Sequence, residues 1–169
     1  MTMNTKKFMW VLLIVFIAAW LLSPVPQTMA ETWKATYFVH CTKVEGIPIP
    51  DAEGHILGLF VREGVGIHDN GELAWGKMIT IGDMTRGVGS FSQYGTTTYQ
   101  DGSTITTYTK GTSGGLTVQF SGEIIHGTGR FQGIKGTVTA TGKNLPPEKG
   151  EMMPKSLVEA TTTFTLPSK

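Results

Sequence analysis

The chain has 169 residues, with 14 basic and 13 acidic side chains and a formal net charge of +1. This near-neutral balance, without any long charged run, gives no broad electrostatic basis for binding nucleic acid or an anionic membrane surface. Cys41 is the single cysteine, which excludes an internal disulfide and a zinc site built on paired cysteines. We expect Cys41 to be a small buried residue on a strand rather than a reactive thiol.

The N-terminal segment has the layout of a secretory signal sequence. Lys6 and Lys7 precede an uncharged apolar run over residues 8–22, and two prolines then lead to the small residue Ala30. The run is shorter than the ~20 residues that a membrane-spanning helix needs. This favours cleavage after Ala30 over retention as an uncleaved anchor.

We therefore expect a signal peptide over residues 1–30 and a single domain over residues 31–169. Such a protein would be periplasmic or secreted. The alternative is a protein held at the inner membrane by residues 8–22, and membrane contact is expected only in that case.

Beyond residue 31 the sequence consists of short alternating runs separated by Gly, Asp, Asn and Pro, with almost no helical periodicity. This pattern is typical of an all-β sandwich or barrel. In the first run we expect one face to be buried, and that face carries Trp33, Ala35, Tyr37, Val39 and Cys41. The next segment, residues 46–54, contains two prolines that cannot donate ladder hydrogen bonds, so we expect a loop across one end of the barrel.

Residues 55–68 and the run that follows the turn at residues 69–71 alternate regularly. Each run has one apolar face: Leu57, Leu59, Val61, Val65 and Ile67 in the first, and Leu73, Trp75, Ile79 and Ile81 in the second. A single charged residue interrupts each face, Glu63 in the first and Lys77 in the second. Their opposite charges suggest that Glu63 and Lys77 pair with each other.

A three-residue hairpin loop with Gly71 in the left-handed conformation sets Glu63 opposite Lys77, whereas a two-residue loop would set Met78 there. We expect the first register, because it explains both interruptions. Whether this face lines the interior or an interface stays open, because a shift of one residue exchanges the faces of a strand. The pair is either an ion pair on the outside or at a subunit contact, or a ligand-binding or catalytic pair. In a sheltered place, loss of one partner would cost ~3 to 5 kcal/mol.

The remaining chain continues the same pattern. A turn at Asp101 and Gly102 joins two arms rich in Thr and Tyr, and a later arm carries an apolar face that ends at His126. A loop with prolines and methionines over residues 144–155 precedes a last strand over residues 157–166. That strand is well placed to pair with the first and close a barrel.

Residues 127–142 read GTGRFQGIKGTVTATG, which predicts a tight turn running into a bent, half-buried strand. The first part resembles the GxGxFxGxxG segment of the allene oxide cyclase and dirigent β-barrel superfamily, which includes bacterial members. The matching positions are Gly127, Gly129, Phe131, Gly133 and Gly136. The order of predicted strands agrees with that superfamily over most of residues 31–166.

The resemblance implies a single eight-stranded antiparallel β-barrel of calycin-like shape with an apolar cavity. It also implies a trimer as one expected assembly, since plant members are often trimeric. Those relatives cyclise an unstable fatty-acid epoxide or orient the coupling of phenolic radicals. The cyclase has a carboxylate in its first strand, whereas residues 32–44 contain none, so no catalytic residue is carried over.

Other chemistries find little support in the sequence. The four histidines, His40, His55, His68 and His126, have no local spacing of a metal site, and we expect them to be solvent-exposed or hydrogen-bonded. The glycine-rich motif precedes a threonine-rich strand, whereas a phosphate site would need the N-terminus of a helix. We predict no metal and no cofactor.

Three classes of function remain. The favoured class is a non-catalytic barrel that binds a small apolar molecule in the cell envelope. The second is an isomerase or cyclase acting on a reactive lipophilic substrate, with polar groups whose pKa values are shifted by burial. The third is an accessory subunit that docks on an envelope protein or on copies of itself. The candidate ligand-binding residues are Glu63, Lys77 and His126.

Overall fold

The computed structural model describes residues 29–146 and 155–167. The predicted signal peptide lies, except for its last two residues, outside the described residues. Most of the predicted loop over residues 144–155 lies outside them as well. The described part of the chain contains no helix that is long and apolar enough to span a membrane.

Within the described residues, eight antiparallel strands close into one barrel. They are β1 (Glu31–Pro48), β2 (His55–His68), β3 (Leu73–Thr85), β4 (Val88–Tyr99), β5 (Thr104–Gly114), β6 (Thr117–Gly127), β7 (Lys135–Asn144) and β8 (Ser156–Thr165). A short 3-10 helix, Gly129–Phe131, precedes β7. Strand β8 returns to β1, with Ala160 opposite Ala35. The predicted all-β, eight-stranded antiparallel barrel is therefore confirmed, including its closure by the first and last strands.

The predicted loop over residues 46–54 begins later than expected. Strand β1 continues through Pro48, because residues 46–48 pair with residues 56–58 of β2. Pro48 is the last residue of the strand, where a missing N–H donor disturbs the ladder least. A shift of register between Cys41 and Lys43 marks a bulge in the same strand.

The turn between β2 and β3 has the predicted form. Gly71 has φ 84°, its amide donates to the His68 carbonyl over 2.9 Å, and the His68 amide donates to the Glu72 carbonyl over 2.9 Å. The register that follows places Glu63 opposite Lys77. The predicted pairing of the two charged residues is confirmed.

The same register shows which face of the hairpin lies inside. Phe60 is 1% exposed on the inner face, whereas Ile67 and Ile81 are each 57% exposed on the opposite face. The apolar face of β2 and β3 is thus the outer surface of the barrel. Glycines occupy much of the inner face because aromatic rings fill the interior. A Cβ on Gly66, for example, would lie 2.4 Å from the ring of Tyr37.

The interior is packed in two layers along the barrel axis. The buried residues of the first layer are Val39, Phe60, Met84, Phe91, Val118, Ala140 and Val158. Those of the second layer are Ala74, Tyr99, Ile105, Ile124, Phe131, Ile134 and Phe164. We call the end of the barrel beside the second layer the aromatic end, since Trp33 and the rings of Tyr99, Phe131 and Phe164 pack there.

Candidate functional site

A cavity lies inside the barrel between the two packed layers. Its volume is about 90 Å³, taken as the space open to the centres of water molecules. Members of both layers form its wall together with partly buried polar groups. Those that matter here are Tyr37, Val39, Arg62, Gly76, Met78, Phe91, Gln93, Tyr99, Ile105, Thr107, Val118 and Val158. The alternation of inward and outward side chains along every strand brings these distant residues together.

Arg62 is the charged residue of this wall. It follows Phe60 on the inner face of β2, and its guanidinium carbon lies 5.9 Å from the centre of the Phe60 ring. Burial lowers the pKa of Arg62, and the nearby Cys41 thiol opposes that shift. Within the described residues, the side chain of Arg62 makes no salt bridge or hydrogen bond, whereas those of Arg86 and Arg130 each bind a glutamate.

Cys41 lies opposite Arg62 across the β1–β2 pair. Its thiol donates to the carbonyl of Val61 over 3.3 Å or to that of Lys43 over 3.2 Å, at the bulge in β1. Burial raises the pKa of the Cys41 thiol, against smaller opposing effects of the Lys43 backbone and Arg62. The thiol therefore stays protonated at neutral pH, as expected of a half-buried structural cysteine.

Neutral groups of the wall are held by residues of other strands. The Thr80 hydroxyl donates to Gln93 Oε1 over 2.9 Å, which leaves the amide nitrogen of Gln93 as the group with protons to donate. The Tyr37 hydroxyl is hydrogen-bonded to Thr97, and burial raises the pKa of Tyr37 in spite of that bond. The phenol is therefore a neutral hydroxyl at physiological pH.

The aromatic end closes one side of the cavity. Arg130 lies over the rings of Tyr99 and Phe131, at 4.9 and 4.8 Å, and binds the Glu72 carboxylate through Nη2 at 2.6 and 2.7 Å. Burial is the main cause that raises the pKa of Tyr99. Since Phe131 is 1% exposed and caps the interior, this arrangement fixes the glycine-rich motif to the end of the barrel.

The glycines of the motif permit its close approach. Gly129 has φ 60°, and a Cβ there would lie 2.3 Å from Ser103 Oγ. The Ser103 hydroxyl oxygen accepts a hydrogen bond from the Arg130 amide over 3.1 Å. The motif residues Gly127, Gly129, Phe131, Gly133 and Gly136 thus lie at the aromatic end of the barrel, and β7 begins at Lys135.

His68 lies beside the same aromatic residues and was not expected there. It is 6% exposed, and within the described residues neither ring nitrogen has a hydrogen-bond partner. Its ring lies 5.9 Å from that of Trp33 and 5.3 Å from that of Tyr99. Desolvation lowers the pKa of His68, with Glu72 and Asp69 opposing and Arg130 adding to the shift. The expectation of exposed or hydrogen-bonded histidines is therefore wrong for His68.

At the opposite end, His55 lies between two carboxylates. It is bonded to Asp51 through Nδ1 and to Asp83 through Nε2, the latter over 2.8 Å. Both bonds raise the pKa of His55, with Asp51 the larger cause, and the same contact lowers the pKa of Asp51. The described residues contain no group of three or more His, Cys, Asp or Glu side chains arranged to hold a metal ion.

The residues predicted to bind a ligand lie outside the cavity. Lys77 Nζ is 3.3 Å from Glu63 Oε1 on the outer surface of the hairpin. His126 is exposed, because a shift of register opposite Thr106 and Thr107 puts Gly127 rather than His126 on the inner side. The expected apolar face ending at His126 is thus wrong by one residue, and a ligand-binding role for Glu63, Lys77 and His126 stays a prediction.

Sequence reasoning missed Arg62 and Gln93 as cavity residues, whereas Tyr37 lies on the face of β1 that was expected to be buried. A signal was present in β2, where the face opposite the apolar series reads Gly58, Phe60, Arg62, Gly64, Gly66 and His68. Small residues, one large aromatic and one arginine on alternating positions suit the inside of a narrow barrel whose space is filled from other strands. The apolar series on the other face of β2 was the stronger pattern, so sequence reasoning placed the candidate site on that face and overlooked Arg62.

Comparison with protein-family models gives no match, and comparison with curated proteins gives none either. Solved structures do match. The pterocarpan synthase dirigent protein PsPTS1 superimposes with a TM-score of 0.54 at 13% identity, over 85% of this chain and 99% of that one. The chain has the dirigent fold.

Two further structures support this assignment. The pterocarpan synthase dirigent protein GePTS1 matches with a TM-score of 0.52 at 13% identity, over 86% of this chain and 96% of that one. A protein of unknown function from the DUF3224 family of Shewanella oneidensis MR-1 matches with a TM-score of 0.51 at 16% identity, over 85% and 100%. At these identities the dirigent fold is shared, and activity does not follow from it.

Proposed function

We propose that this dirigent-fold protein is exported and binds a small apolar molecule in its cavity without catalysing a reaction. The observation that carries the proposal is the unfilled space of about 90 Å³ between the two packed layers. Interiors of proteins are normally packed to the density of organic crystals. Apolar walls with a few polar groups are the lining of a typical ligand site, and the small size of this space restricts it to a small ligand.

The chemistry of the wall favours binding over catalysis. In the described part of the chain, no carboxylate lines the cavity, and Tyr37 and Tyr99 both have raised pKa values, so neither is a base at neutral pH. An isomerase or cyclase needs a positioned acid or base. His68 is not part of the cavity wall and packs against the rings of Tyr37 and Tyr99. The alternative enzymatic function, with Glu63, Lys77 and His126, would have to operate on the outer surface.

Native mass spectrometry of the protein purified from its own envelope tests the binding proposal. We expect a reproducible small-molecule adduct. Gly76→Val adds a side chain to the cavity wall where a Cβ would make only ordinary contacts, 3.7 Å from the Tyr37 ring, and should remove the adduct. Thr141→Val, which places a valine on the exposed face of β7, should retain it. A folded protein without an adduct, or an adduct unaffected by Gly76→Val, would contradict the proposal.

Export is proposed on the sequence of residues 1–30, which suits a cleaved signal. N-terminal sequencing of the protein from the periplasm or the medium should begin at Glu31. A membrane-bound protein that begins at Met1 would instead support anchoring through residues 8–22.

The outer surface of the barrel favours a second function, association with further copies of the chain. We define the apolar outer face by seven of the large exposed side chains on β1, β2 and β3, which are Phe38, Val65, Ile67, Leu73, Trp75, Ile79 and Ile81. Their exposed fractions run from 43% to 57%. Together they present on the order of 500 Å² of apolar surface, which is at the upper end for a monomeric protein.

We propose that a second copy of the chain covers this face. A standard interface buries about 800 Å² on each partner, so the apolar outer face supplies most of what an interface needs. The Glu63–Lys77 pair lies in the middle of the face and leaves it without net charge, so two copies can meet there without repulsion.

Size-exclusion chromatography with light scattering tests this association. The protein should be oligomeric, and Trp75→Glu, at a position that is 46% exposed, should shift it to the monomer without unfolding it. A matched change on the other side of the barrel, Thr139→Glu, should leave the oligomer intact. A wild-type monomer would overturn the proposal, and a stoichiometric complex with another envelope protein would replace it with the accessory-subunit function.

A further inference from the structure

We propose that the ligand of the barrel cavity is a small organic carboxylate, whose anionic group binds the Arg62 guanidinium while its apolar part fills the space between the two packed layers. The inference rests on the proposed binding function and adds the charge of the ligand to it. The charges in the cavity wall are not balanced. Within the described residues, Arg62 is the one charged side chain that lines the cavity, and no acidic residue lines it.

The position of Arg62 is hard to explain by stability. A guanidinium keeps its charge in a protein and carries five N–H donors, and placing it inside a barrel without a counter-charge is unfavourable. Across the β2–β3 pair the equivalent inner position is occupied by Met78. An apolar side chain therefore fits this part of the interior, and a chain selected for packing alone would not need an arginine there.

The other arginines show what a structural arginine looks like in this protein. Arg130 holds the glycine-rich motif by binding Glu72 and stacking on two rings, and Arg86 binds Glu53 beside the turn at the other end. Both are at the ends of the barrel and both have a carboxylate partner. Arg62 lies between the ends, lines the cavity and, within the described residues, has no carboxylate partner.

The neutral groups around the space also offer hydrogen-bond donors. Gln93 has its carbonyl oxygen engaged by Thr80, so that its amide nitrogen is the group left to donate. One guanidinium and one amide complement the two oxygens of a single carboxylate, and a guanidinium binds such a group through two parallel hydrogen bonds. A phosphate dianion would carry more negative charge than one arginine can offset. The site therefore favours a monoanion.

The volume limits the apolar part of the ligand. An apolar cavity of roughly 150 Å³ accommodates benzene. The space here is about 90 Å³, and the flexible side chain of Met78 in its wall can adjust. A short aliphatic chain fits the space as it is, and one aromatic ring is the largest group that fits once Met78 has moved.

Benzoate and benzamide test the inference, because they share a ring and differ in charge. With the protein as its host produces it, after its own ligand has been removed, we expect calorimetric titration at neutral pH to show about tenfold to a hundredfold tighter binding of benzoate than of benzamide. In Arg62→Gln the preference should disappear, while Lys110→Gln, which removes an exposed positive charge from β5, should preserve it. Equal binding of the two probes by the wild type would overturn the carboxylate inference and leave the binding function standing.

Thermal unfolding distinguishes a binding role of Arg62 from a structural one. In the ligand-free protein, Arg62→Met should raise the melting temperature, since it removes an unpaired charge and keeps the apolar stem. Benzoate should raise the melting temperature of the wild type and leave that of Arg62→Met unchanged. A lower melting temperature for ligand-free Arg62→Met would show that the guanidinium supports the barrel, which contradicts the inference. Binding of neither probe would count against the carboxylate and the cavity function together.

Discussion

The two faces of the β2–β3 hairpin differ in a way that runs against the usual distribution of residues. The outer face carries Ile67, Trp75 and Ile81 with about half of each side chain exposed, while the inner face has five glycines among larger residues such as Phe60, Arg62 and Met84. In an antiparallel barrel the apolar face is normally the inner one. Here the interior is narrow and is filled by rings from several strands, so small residues face inward.

The alternating pattern of a strand therefore shows that its two faces have different environments, but it does not show which face lies inside the barrel. An apolar face on the outside of a barrel is exposed until something covers it. A charged residue on the inside is unfavourable until something binds it. Both features of the hairpin thus point to a partner, a second copy for the outer face and a small carboxylate for the inner one.

The largest expected effect is the difference in stability between shortening one side chain on the inner face and shortening one on the outer face. Phe60→Ala should lower the free energy of unfolding by about 3 to 5 kcal/mol, because Phe60 is 1% exposed and its removal leaves a cavity. Ile81→Ala, at a position that is 57% exposed, should cost less than about 1 kcal/mol in the isolated chain. Urea unfolding followed by circular dichroism at low protein concentration measures both values.

Trp75→Glu serves as the background for this pair of measurements, since it is expected to keep the chain monomeric. On that background the difference between Phe60→Ala and Ile81→Ala should persist. A cost for Ile81→Ala that equals that of Phe60→Ala in the monomer would mean that the two faces have been assigned the wrong way round.

Much of the fold could be predicted from the sequence, because it depends on local chemistry. The turn at Gly71 fixes the register of β2 and β3, and that register sets Glu63 opposite Lys77 without knowledge of the rest of the chain. Pairing of β8 with β1 was expected from the placement of the last strand and from the eight-stranded barrel that the family resemblance implies. The extension of β1 to Pro48 was missed, since the ladder with β2 outweighs the weak strand propensity of a proline at its end.

The candidate site could not be predicted in the same way, because it depends on packing between strands that are distant in sequence. Arg62 and Gln93 meet the cavity only after the barrel closes and the rings of β1 occupy the space beside the glycines of β2. His126 was misplaced because a bulge in β6 changes its face by one residue. A single sequence does not reveal a bulge of this kind.

A second prediction concerns His68, the other polar residue of the inner face. His68→Phe should raise the free energy of unfolding at neutral pH by about 1 to 3 kcal/mol, since it removes two buried nitrogens without partners and keeps an aromatic ring beside Trp33 and Tyr99. Urea unfolding at pH 7 measures this change. His126→Asn, on the exposed outer face, should change it by less than about 0.5 kcal/mol.

The pH dependence of the wild type gives an independent check on His68. Desolvation lowers the pKa of His68 in the folded protein, so the folded state stays neutral while the unfolded state takes up a proton near pH 6.5. The free energy of unfolding therefore falls as pH drops from about 6.5 toward the folded pKa, and this contribution levels off below it. His68→Phe should remove this part of the slope. An unchanged slope would show that His68 is protonated alike in both states.

The smallest effect is expected from the Glu63–Lys77 pair, and it sharpens the description of the outer face. The side chains of Glu63 and Lys77 are 27% and 56% exposed in the single chain, so a double-mutant cycle with Glu63→Gln and Lys77→Met should give a coupling below about 1 kcal/mol in the monomer. If a second copy covers this face, the coupling should grow with protein concentration, because association removes water from the pair and leaves a single unpaired charge buried in each single variant. Chemical unfolding at two concentrations, with and without Trp75→Glu, measures the difference. A coupling that is small at every concentration would mean that the pair stays in water, and that the apolar residues around it are not covered by a second copy.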